Sequence, residues 1–306
     1  MVHDENSKSA PVIIISAARS GTKLLRRILS SSNEFGGCPY DANYIWKIGN
    51  LGIDHDELVP EDLSDKQVAY IRQFFDRARA RDRAKRIVEK TVSNSLRVPV
   101  VRSVFPGCKI IHLYRGGYSA VSSTRRCWEA PPTSSELQSR SELTRKLREF
   151  PYLYGWPYLT RYLKSYARKY VFGEKHAGSW GVRYKGIDRD LAEHGIEYVA
   201  TRQWAKCVRH SCDALGRLQE GVDYINVSFE EFVTSPEAEL ERILEFILAE
   251  EKGQILSFAR SIIDPSRSQI SVERNVYDGM PEIGKMVSDG QKAIETLTGR
   301  RRTSSV

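Results

Sequence analysis

The chain has few cysteines, and their arrangement is informative. Its 306 residues contain five of them, an odd number with no C-x-x-C pair: Cys38, Cys108, Cys127, Cys207 and Cys212. This arrangement argues against a disulfide framework and against a zinc site of the usual spacing. It fits a protein that works in a reducing compartment.

Long apolar runs are also missing from the sequence. No segment approaches the roughly 20 apolar residues that a membrane-spanning helix needs. The first ten residues, MVHDENSKSA, are polar and acidic, unlike a signal peptide or a membrane anchor. The sequence contains no internal repeat and no long low-complexity segment. We therefore expect a cytoplasmic protein without a membrane span.

The remaining composition is typical of a globular protein with ample core. Hydrophobic residues make up 41% of the sequence and charged residues 28%. The length allows one large α/β domain or two small ones. The net charge of +8 favours anionic partners, but it does not separate nucleotides, nucleic acid, acidic glycans and lipid headgroups.

The segment at positions 11–32, PVIIISAARSGTKLLRRILSSS, is the most informative part of the sequence. Val12 to Ile15 have no polar face, which predicts a central parallel strand covered on both sides. Leucine and isoleucine then recur at helical spacing, at positions 24, 25, 28 and 29. A strand is therefore followed by a short polar loop and a helix.

The loop between this strand and this helix has the composition of an anion site. Ser20, Gly21 and Thr22 bring small side chains, hydroxyls and backbone N–H groups to the helix N-terminus, and Arg19 and Lys23 add two positive charges. The loop is not a Walker A motif, because Thr22 separates Gly21 from Lys23. A standard nucleoside triphosphatase is therefore disfavoured. An ordinary strand-to-helix connection is the alternative interpretation.

Two further strands place charged residues at their carboxyl ends. Residues 87–88 form a short strand that is followed by Glu89 and Lys90. The apolar segment Lys109 to Tyr114 predicts a buried strand, and Arg115 follows it directly. Open α/β sheets bind ligands at the carboxyl ends of their strands.

The order of these elements predicts the fold class. Strands at 12–15, 87–88, 109–114 and 224–229 alternate with helices, one of them at 203–218, which indicates one α/β domain with a parallel sheet. Right-handed crossovers place the carboxyl ends of parallel strands together. We expect Arg19, Glu89 and Arg115 to approach one crevice.

Three segments are less regular. Residues 33–60 read as a loop, in which Tyr40, Tyr44 and Trp46 form either a sugar platform or local core. Residues 129–201 combine aromatic and cationic residues with several prolines, and we interpret them as a helical insertion or acceptor lid within a single domain spanning 1–306. Residues 299–306 are basic and serine-rich, and we expect a disordered tail.

Together these motifs resemble the sulfotransferases that use 3′-phosphoadenosine 5′-phosphosulfate (PAPS). In that family a loop like Arg19 to Leu24 cradles the 5′-phosphosulfate. An arginine at a strand end and a serine eight residues later, here Arg115 and Ser123, bind the 3′-phosphate. The segment Glu89-Lys90-Thr91 is similar to the Glu-Lys-Ser/Thr segment of the carbohydrate-directed branch, whose glutamate is the catalytic base. Later blocks are similar to bacterial members, so the resemblance covers most of residues 11–250.

The sequence departs from the family pattern at several positions. Lys23 replaces the usual second hydroxyl of the loop, Val92 replaces a proline, and Ser119 replaces an aspartate. No Arg-Lys-Gly element for the 3′-phosphate is evident near the C-terminus. Arg274 is either a substitute for that element or an exposed loop arginine.

The resemblance implies a P-loop-like three-layer α/β fold and a PAPS-dependent O-sulfotransferase. We expect transfer of the sulfuryl group to a hydroxyl, on a carbohydrate, with release of adenosine 3′,5′-bisphosphate. Glu89 is the expected base, and Arg19 and Lys90 are expected to offset developing charge. We expect no metal and no nucleic-acid partner. A nucleotide or sugar kinase on a related fold and a non-catalytic nucleotide- or glycan-binding module are the alternatives.

Overall fold

A computed structural model describes residues 10–37, 41–129, 181–264 and 280–299. Within these ranges a parallel five-stranded sheet forms the centre of the molecule, with strand order β2-β3-β1-β4-β5. The strands are β1 (Val12–Ile15), β2 (Phe35–Gly37), β3 (Arg86–Glu89), β4 (Lys109–Tyr114) and β5 (Tyr224–Ser228). β1 is central and pairs in parallel with both β3 and β4. The predicted fold class is confirmed.

Helices cover both faces of the sheet. They are α1 (Thr22–Leu29), α2 (Asn43–Trp46), α3 (Asp65–Asp82), α4 (Val98–Val104), α5 (Gly117–Glu129), α6 (Ile187–Leu215), α7 (Phe229–Thr234), α8 (Pro236–Phe246), α9 (Lys252–Ile262) and α10 (Pro281–Thr298). Two short 3₁₀ helices lie at Pro60–Asp62 and Val92–Leu96.

The alternation of side chains along β1 divides the core into two layers. Val12 and Ile14 pack on one face of the sheet, in a cluster with α1, α8 and α9. Ile13 and Ile15 pack on the other face, in a cluster with α2, α3 and α4. All four β1 side chains are fully buried. The apolar run without a polar face therefore reflects burial on both sides, as expected of a central parallel strand.

The region predicted as a loop at 33–60 contains regular structure. The strand β2 pairs with β3 through Phe35 and Arg86 at the edge of the sheet, and α2 follows at Asn43–Trp46. Tyr44 and Trp46 are buried in the core, so the core interpretation of these two aromatics is correct. The third aromatic, Tyr40, lies outside the described residues.

The helix predicted at 203–218 begins earlier than expected. α6 starts at Ile187 and contains a kink at Gly195, where φ is 83° and ψ is −173°. Val182, Tyr184 and Ile187 are buried with α5 and α10, so the stretch from Val182 onward is packed into the fold. The rest of the predicted insertion, residues 130–180, lies outside the described residues, as do Arg274 and residues 300–306. No helix in the described ranges is long and apolar enough to cross a membrane.

Candidate active site

A cavity of about 700 Å³ opens at the carboxyl ends of β1, β3 and β4. The loop after β1, the residues after β3 and the start of the helix after β4 all line it. This edge of the sheet is where the sequence predicts the ligand crevice. The cavity is closed on a further side by Phe229 and Val233 of α7 and by Gly181 and Val182.

The loop after β1 makes a tight turn into α1. Arg19 and Gly21 both have positive φ, at 67° and 86°. Gly21 is the N-cap residue of α1, and a Cβ added there would lie 2.3 Å from Cε2 of Phe229. A glycine is therefore required both by the left-handed conformation and by the close aromatic ring. The turn leaves the N-terminus of α1 at the cavity, where the helix dipole favours an anion.

Three of the residues predicted to bind PAPS contact one another. Arg19 Nε donates to Ser123 Oγ at 3.0 Å, and Arg115 Nη1 donates to the carbonyl of Arg19 at 2.9 Å. The Arg115 guanidinium also lies over the Phe229 ring, 4.7 Å from its centroid. Burial lowers the pKa of Arg115 from its ordinary value, a lowering that Glu230 opposes and Arg19 reinforces. The loop after β1 and the segment after β4, which includes the start of α5, therefore bring the guanidinium groups of Arg19 and Arg115 and the hydroxyl of Ser123 close together.

Two buried polar atoms near this place have no partner within the described residues. They are Oγ of Ser20 and Nε of Arg115. Buried polar groups in native proteins are normally hydrogen-bonded. Both atoms can donate a hydrogen bond, so an anionic ligand with several acceptor oxygens fits this place.

Glu89 ends β3 and is almost completely buried, with 1% of its surface exposed. Its carboxyl accepts hydrogen bonds from Trp46 Nε1 at 3.3 Å and from Asn94 Nδ2 at 3.0 Å. Burial raises the pKa of Glu89, and hydrogen bonds from Thr91 and Trp46 oppose this only in part. Glu89 is not among the residues that line the cavity, so in this structure its carboxyl lies behind the wall.

Lys90 lines the cavity directly and forms an ion pair with Asp41. The Lys90 side chain is buried, whereas the Asp41 side chain is 41% exposed. This pair places a cation and a carboxylate on the side of the cavity that adjoins β3. Asn43 and Ser93 line the same side, which makes this part of the wall strongly polar.

The comparisons with known proteins agree with this architecture. A family model described as "Sulfotransferase family" matches residues 11–168, which is more than half of the chain. This chain belongs to the sulfotransferase family. No curated protein matches its sequence.

Solved sulfotransferase structures share the fold of this chain. A sulfotransferase from Alicyclobacillus acidocaldarius is 17% identical, with 96% of this chain and 98% of that chain covered and a TM-score of 0.51. Sulfotransferase STF9 from Mycobacterium avium is 12% identical, with 83% and 67% covered and a TM-score of 0.50. At these identities the similarity supports the fold and leaves the substrates open.

The structure brings most of the predicted site residues to the cavity of this sulfotransferase. Those that line it are Arg19, Gly21, Thr22, Lys23, Leu24, Lys90, Arg115 and Ser123. Ser20 and Glu89 are buried and do not line it. Sequence reasoning missed Asp41, Asn43, Ser93 and Phe229. The first two lie in the region 33–60, which was predicted as a loop whose aromatic residues form either a sugar platform or local core, and no periodicity or spacing marks them.

The described residues contain no group of three or more His, Cys, Asp or Glu side chains arranged to hold a metal ion. His112 lies on β4, the strand predicted to be buried, and belongs to the core. Its side chain is buried, and Nδ1 lies 2.8 Å from Asn226 Oδ1. His112 therefore belongs to the packing between β4 and β5.

Proposed function

We propose that this sulfotransferase transfers the sulfuryl group of PAPS to a carbohydrate hydroxyl and releases adenosine 3′,5′-bisphosphate. The observation that carries the proposal is the contact between Arg19, Arg115 and Ser123 in the cavity beside the N-terminus of α1. A donor with phosphate groups at both ends of a ribose needs two anion sites that are close to each other. The loops after β1 and β4 supply them on neighbouring strands.

We assign the 5′-phosphosulfate to the loop Arg19 to Leu24. Its support is the positive-φ turn at Gly21, the helix N-terminus behind it, and the two cations Arg19 and Lys23, both at the cavity. Helix N-termini bind phosphate through the dipole and the backbone N–H groups. Thr22 adds a hydroxyl at the cavity wall.

We assign the 3′-phosphate to Arg115 and Ser123. Arg115 is held by the carbonyl of Arg19 and by the ring of Phe229, which limits the conformations of its long side chain before a ligand binds. Its Nε has no partner in the described part of the chain. Guanidinium groups match phosphate oxygens in geometry and charge.

We assign the role of general base to Glu89. Glu89 lies behind the cavity wall in this structure, so contact with the acceptor requires the wall to open at this point. In the transfer step the acceptor hydroxyl then loses its proton to the Glu89 carboxylate while its oxygen forms a bond to sulfur. The bond between sulfur and the phosphate oxygen breaks, and that oxygen keeps the electron pair as part of adenosine 3′,5′-bisphosphate. Because burial raises the pKa of Glu89, its carboxylate is a stronger base than an exposed glutamate.

The cations at the cavity account for the remaining charge. Arg19 and Lys23 lie beside the proposed phosphosulfate, and Lys90 lies on the side of Glu89. Positive groups fixed where negative charge develops lower the barrier of group transfer. Lys90 is paired with Asp41 in this structure, so contact of Lys90 with a ligand requires that pair to loosen.

The carbohydrate acceptor is supported by the polar side of the cavity. Asp41, Asn43, Lys90 and Ser93 line the wall next to β3. They offer carboxylate, amide, ammonium and hydroxyl groups, which can hydrogen-bond to several hydroxyls of one molecule. These groups already have protein partners, because Lys90 pairs with Asp41 and both Asn43 and Ser93 donate to Asp56. An acceptor with hydroxyl groups can add to these contacts, whereas a largely apolar acceptor would only remove water from them at a cost in binding free energy.

The cytoplasm is the compartment that fits the chemistry of the cysteines. All four cysteines in the described ranges are free thiols: Cys108, Cys127, Cys207 and Cys212. Burial raises the pKa of Cys207 to about 12, so its thiol stays protonated. Free thiols persist where the glutathione pool is reducing.

Thermal unfolding with adenosine 3′,5′-bisphosphate, adenosine 5′-phosphate and ATP, each with and without Mg²⁺, tests the donor assignment. We expect the 3′,5′-bisphosphate to raise the melting temperature most, because a ligand that binds the folded state stabilises it by mass action. Stronger stabilisation by Mg²⁺-ATP would instead favour a kinase. Transfer of radiolabelled sulfate from PAPS to a panel of sugars tests the acceptor. PAPS binding without transfer to any hydroxyl compound would favour a non-catalytic binding module.

A further inference from the structure

A fully buried arginine lies between two buried carboxyl groups below the cavity. Arg97 has 0% of its surface exposed and precedes α4. Its Nε donates to Asn94 Oδ1 at 2.9 Å, and its Nη2 donates to Asn43 Oδ1 at 2.6 Å. The guanidinium therefore donates to two asparagine amides, and its Nη1 is buried without a hydrogen-bond partner within the described residues.

Each asparagine also donates a hydrogen bond to a different carboxyl group. Asn94 Nδ2 donates to Glu89 Oε2 at 3.0 Å, and Asn43 Nδ2 donates to Asp56 Oδ1 at 2.9 Å. An arginine can only donate, so the oxygen of each amide must face Arg97 and the NH₂ group must face the carboxyl. The arrangement is symmetrical: one cation, two amides and two acidic side chains.

The two carboxyl groups have opposite surroundings. Asp56 also accepts hydrogen bonds from Ser93 Oγ at 2.8 Å and from the backbone N–H of Arg183 at 2.9 Å, and Lys47 Nζ lies 3.5 Å away. Burial alone would raise the pKa of Asp56, but the charges of Arg97 and Lys47 and the hydrogen bonds from Asn43 and from the Arg183 backbone lower it. Asp56 is therefore a carboxylate at neutral pH.

Glu89 is less fully compensated, because hydrogen bonds from Thr91 and Trp46 and the charge of Lys90 oppose the effect of burial without cancelling it. Three charged groups act on it: Arg97 through Asn94, Lys90 next to it in the chain, and Asp41, whose negative charge raises the Glu89 pKa further. Lys90 is itself paired with Asp41. Burial lowers the pKa of Arg97 to about 10, so its guanidinium remains charged at neutral pH. One buried positive charge thus acts on two carboxyl groups, and Asp56 has the more complete set of partners.

We infer that Arg97 is a positioning residue that divides one positive charge between Asp56 and Glu89, with Asn43 and Asn94 as the connections. The inference rests on the proposed function in naming Glu89 as the base. Asn94 fixes the orientation of the Glu89 carboxyl, while Asp56 keeps Arg97 from neutralising it fully. Glu89 therefore retains a high affinity for the proton of the acceptor hydroxyl. Because Asn43 lines the cavity, a ligand that contacts its amide acts on the same chain of groups.

The indole of Trp46 offers a direct measurement of this arrangement. Its Nε1–H donates to Glu89, so its NMR resonance should follow the protonation of the Glu89 carboxyl. The chain has five tryptophans, and loss of one indole signal in Trp46→Phe assigns the resonance. In the wild-type protein we expect a titration midpoint above 4.5, the ordinary value for glutamate, and Glu89→Gln should abolish that titration.

Two variants should move the midpoint in opposite directions. Asp56→Asn removes the competing carboxylate and should lower the midpoint, whereas Arg97→Met removes the shared cation and should raise it. Each shift should be about one pH unit, at the low end of the effect of one nearby charge. Arg97→Lys keeps the charge and should shift the midpoint less than Arg97→Met. Asp56→Asn preserves side-chain size, so its midpoint tests the charge sharing by itself if Arg97→Met does not fold.

A wild-type midpoint at or below 4.5, or an Asp56→Asn midpoint that does not fall, would overturn the inference. These titrations require neither donor nor acceptor. Binding of adenosine 3′,5′-bisphosphate is measured on the same samples by calorimetry. Absent nucleotide binding with the expected midpoints would refute the proposed function and leave the charge sharing in place. The reverse pattern would refute the charge sharing and leave the function in place.

Discussion

Replacing Gly21 by alanine tests whether the turn before α1 and the aromatic ring beside it form one unit. Gly21 has a φ of 86°, and an added Cβ would lie 2.3 Å from Phe229 Cε2. The ring must therefore shift in Gly21→Ala. Because the Arg115 guanidinium lies 4.7 Å from the centroid of that ring, the shift disturbs the proposed 3′-phosphate site as well as the 5′ loop.

Gly186 provides a matched control for backbone strain. It has a φ of 89°, and no atom of the described residues lies within 4 Å of its added Cβ. A left-handed conformation costs a non-glycine residue about 1–2 kcal/mol, and both variants bear this cost. Overpacking costs about 1–3 kcal/mol more, and only Gly21→Ala bears it. The free energy of unfolding should therefore fall by about 2 kcal/mol more in Gly21→Ala than in Gly186→Ala.

Nucleotide affinity should separate the two variants further. A lost charge-assisted hydrogen bond costs about 1.5–3 kcal/mol, which corresponds to about one to two decades in Kd. We expect this loss for adenosine 3′,5′-bisphosphate in Gly21→Ala and no change in Gly186→Ala, measured by calorimetry on folded protein. The double variant Gly21→Ala/Phe229→Leu should recover part of the stability, because the clash is relieved. Wild-type affinity in folded Gly21→Ala, or equal destabilisation of both single variants, would refute the reasoning.

Four further predictions follow from individual contacts. Arg115→Ala should weaken adenosine 3′,5′-bisphosphate binding about 10- to 100-fold while adenosine 5′-phosphate binding changes little, and an equal loss for both ligands in calorimetry would contradict the assignment. Glu89→Gln should slow sulfuryl transfer about 10²- to 10⁴-fold with unchanged nucleotide Kd. Because burial raises the Glu89 pKa above 4.5, its contribution to stability is lost as pH rises from 4.5 through that pKa, and urea denaturation should show a smaller fall in stability over this range for Glu89→Gln. Burial lowers the pKa of His112 from 6.5 to about 4, so the wild-type protein should lose about 3 kcal/mol as pH falls through this window, and His112→Gln should not. In α10, Gly290→Ala should be destabilising because its Cβ would lie 2.4 Å from Trp204, whereas Gly284→Ala, with open space around it in the described structure, should gain up to about 1 kcal/mol by thermal unfolding.

The strands with the clearest apolar runs are those for which sequence reasoning and structure coincide. Val12–Ile15 and Lys109–Tyr114 have the predicted bounds, because strands buried on both faces are rich in apolar residues without a polar face. β3 is longer than predicted by one residue at each end, Arg86 and Glu89. Both are polar residues whose burial depends on partners elsewhere in the chain, such as Glu34 for Arg86.

Elements that depend on tertiary contacts were missed. β2, with the sequence FGG, has too few side chains for any periodicity and is defined by its pairing with β3. The start of α6 at Ile187 was missed because Gly195, whose φ is 83°, interrupts the helix. A local pattern cannot report pairing or packing that arises only when distant segments meet.

In the candidate site, too, groups that are adjacent in the sequence were predicted, and positions set by tertiary contacts were not. Loop chemistry was sufficient to single out Arg19 and Gly21, since the relevant groups are adjacent in the sequence. The position of Glu89 at a strand end was also predictable, but its location behind the cavity wall is set by Trp46 and Asn94. Phe229 lies more than two hundred positions after Gly21 in the sequence, and only the fold brings its ring against that turn.

The strand order has a consequence for how such enzymes diversify. The proposed donor residues follow β1 and β4, whereas Glu89, Lys90 and the polar wall around them belong to β3 and the segment after β2. In the proposed assignment, donor recognition and acceptor recognition thus occupy opposite sides of the central strand. Substitutions beside β2 and β3 can exchange one acceptor for another while the nucleotide cradle stays intact. Under the proposed assignment, related enzymes with this sheet can keep the same sulfuryl donor while their acceptors change.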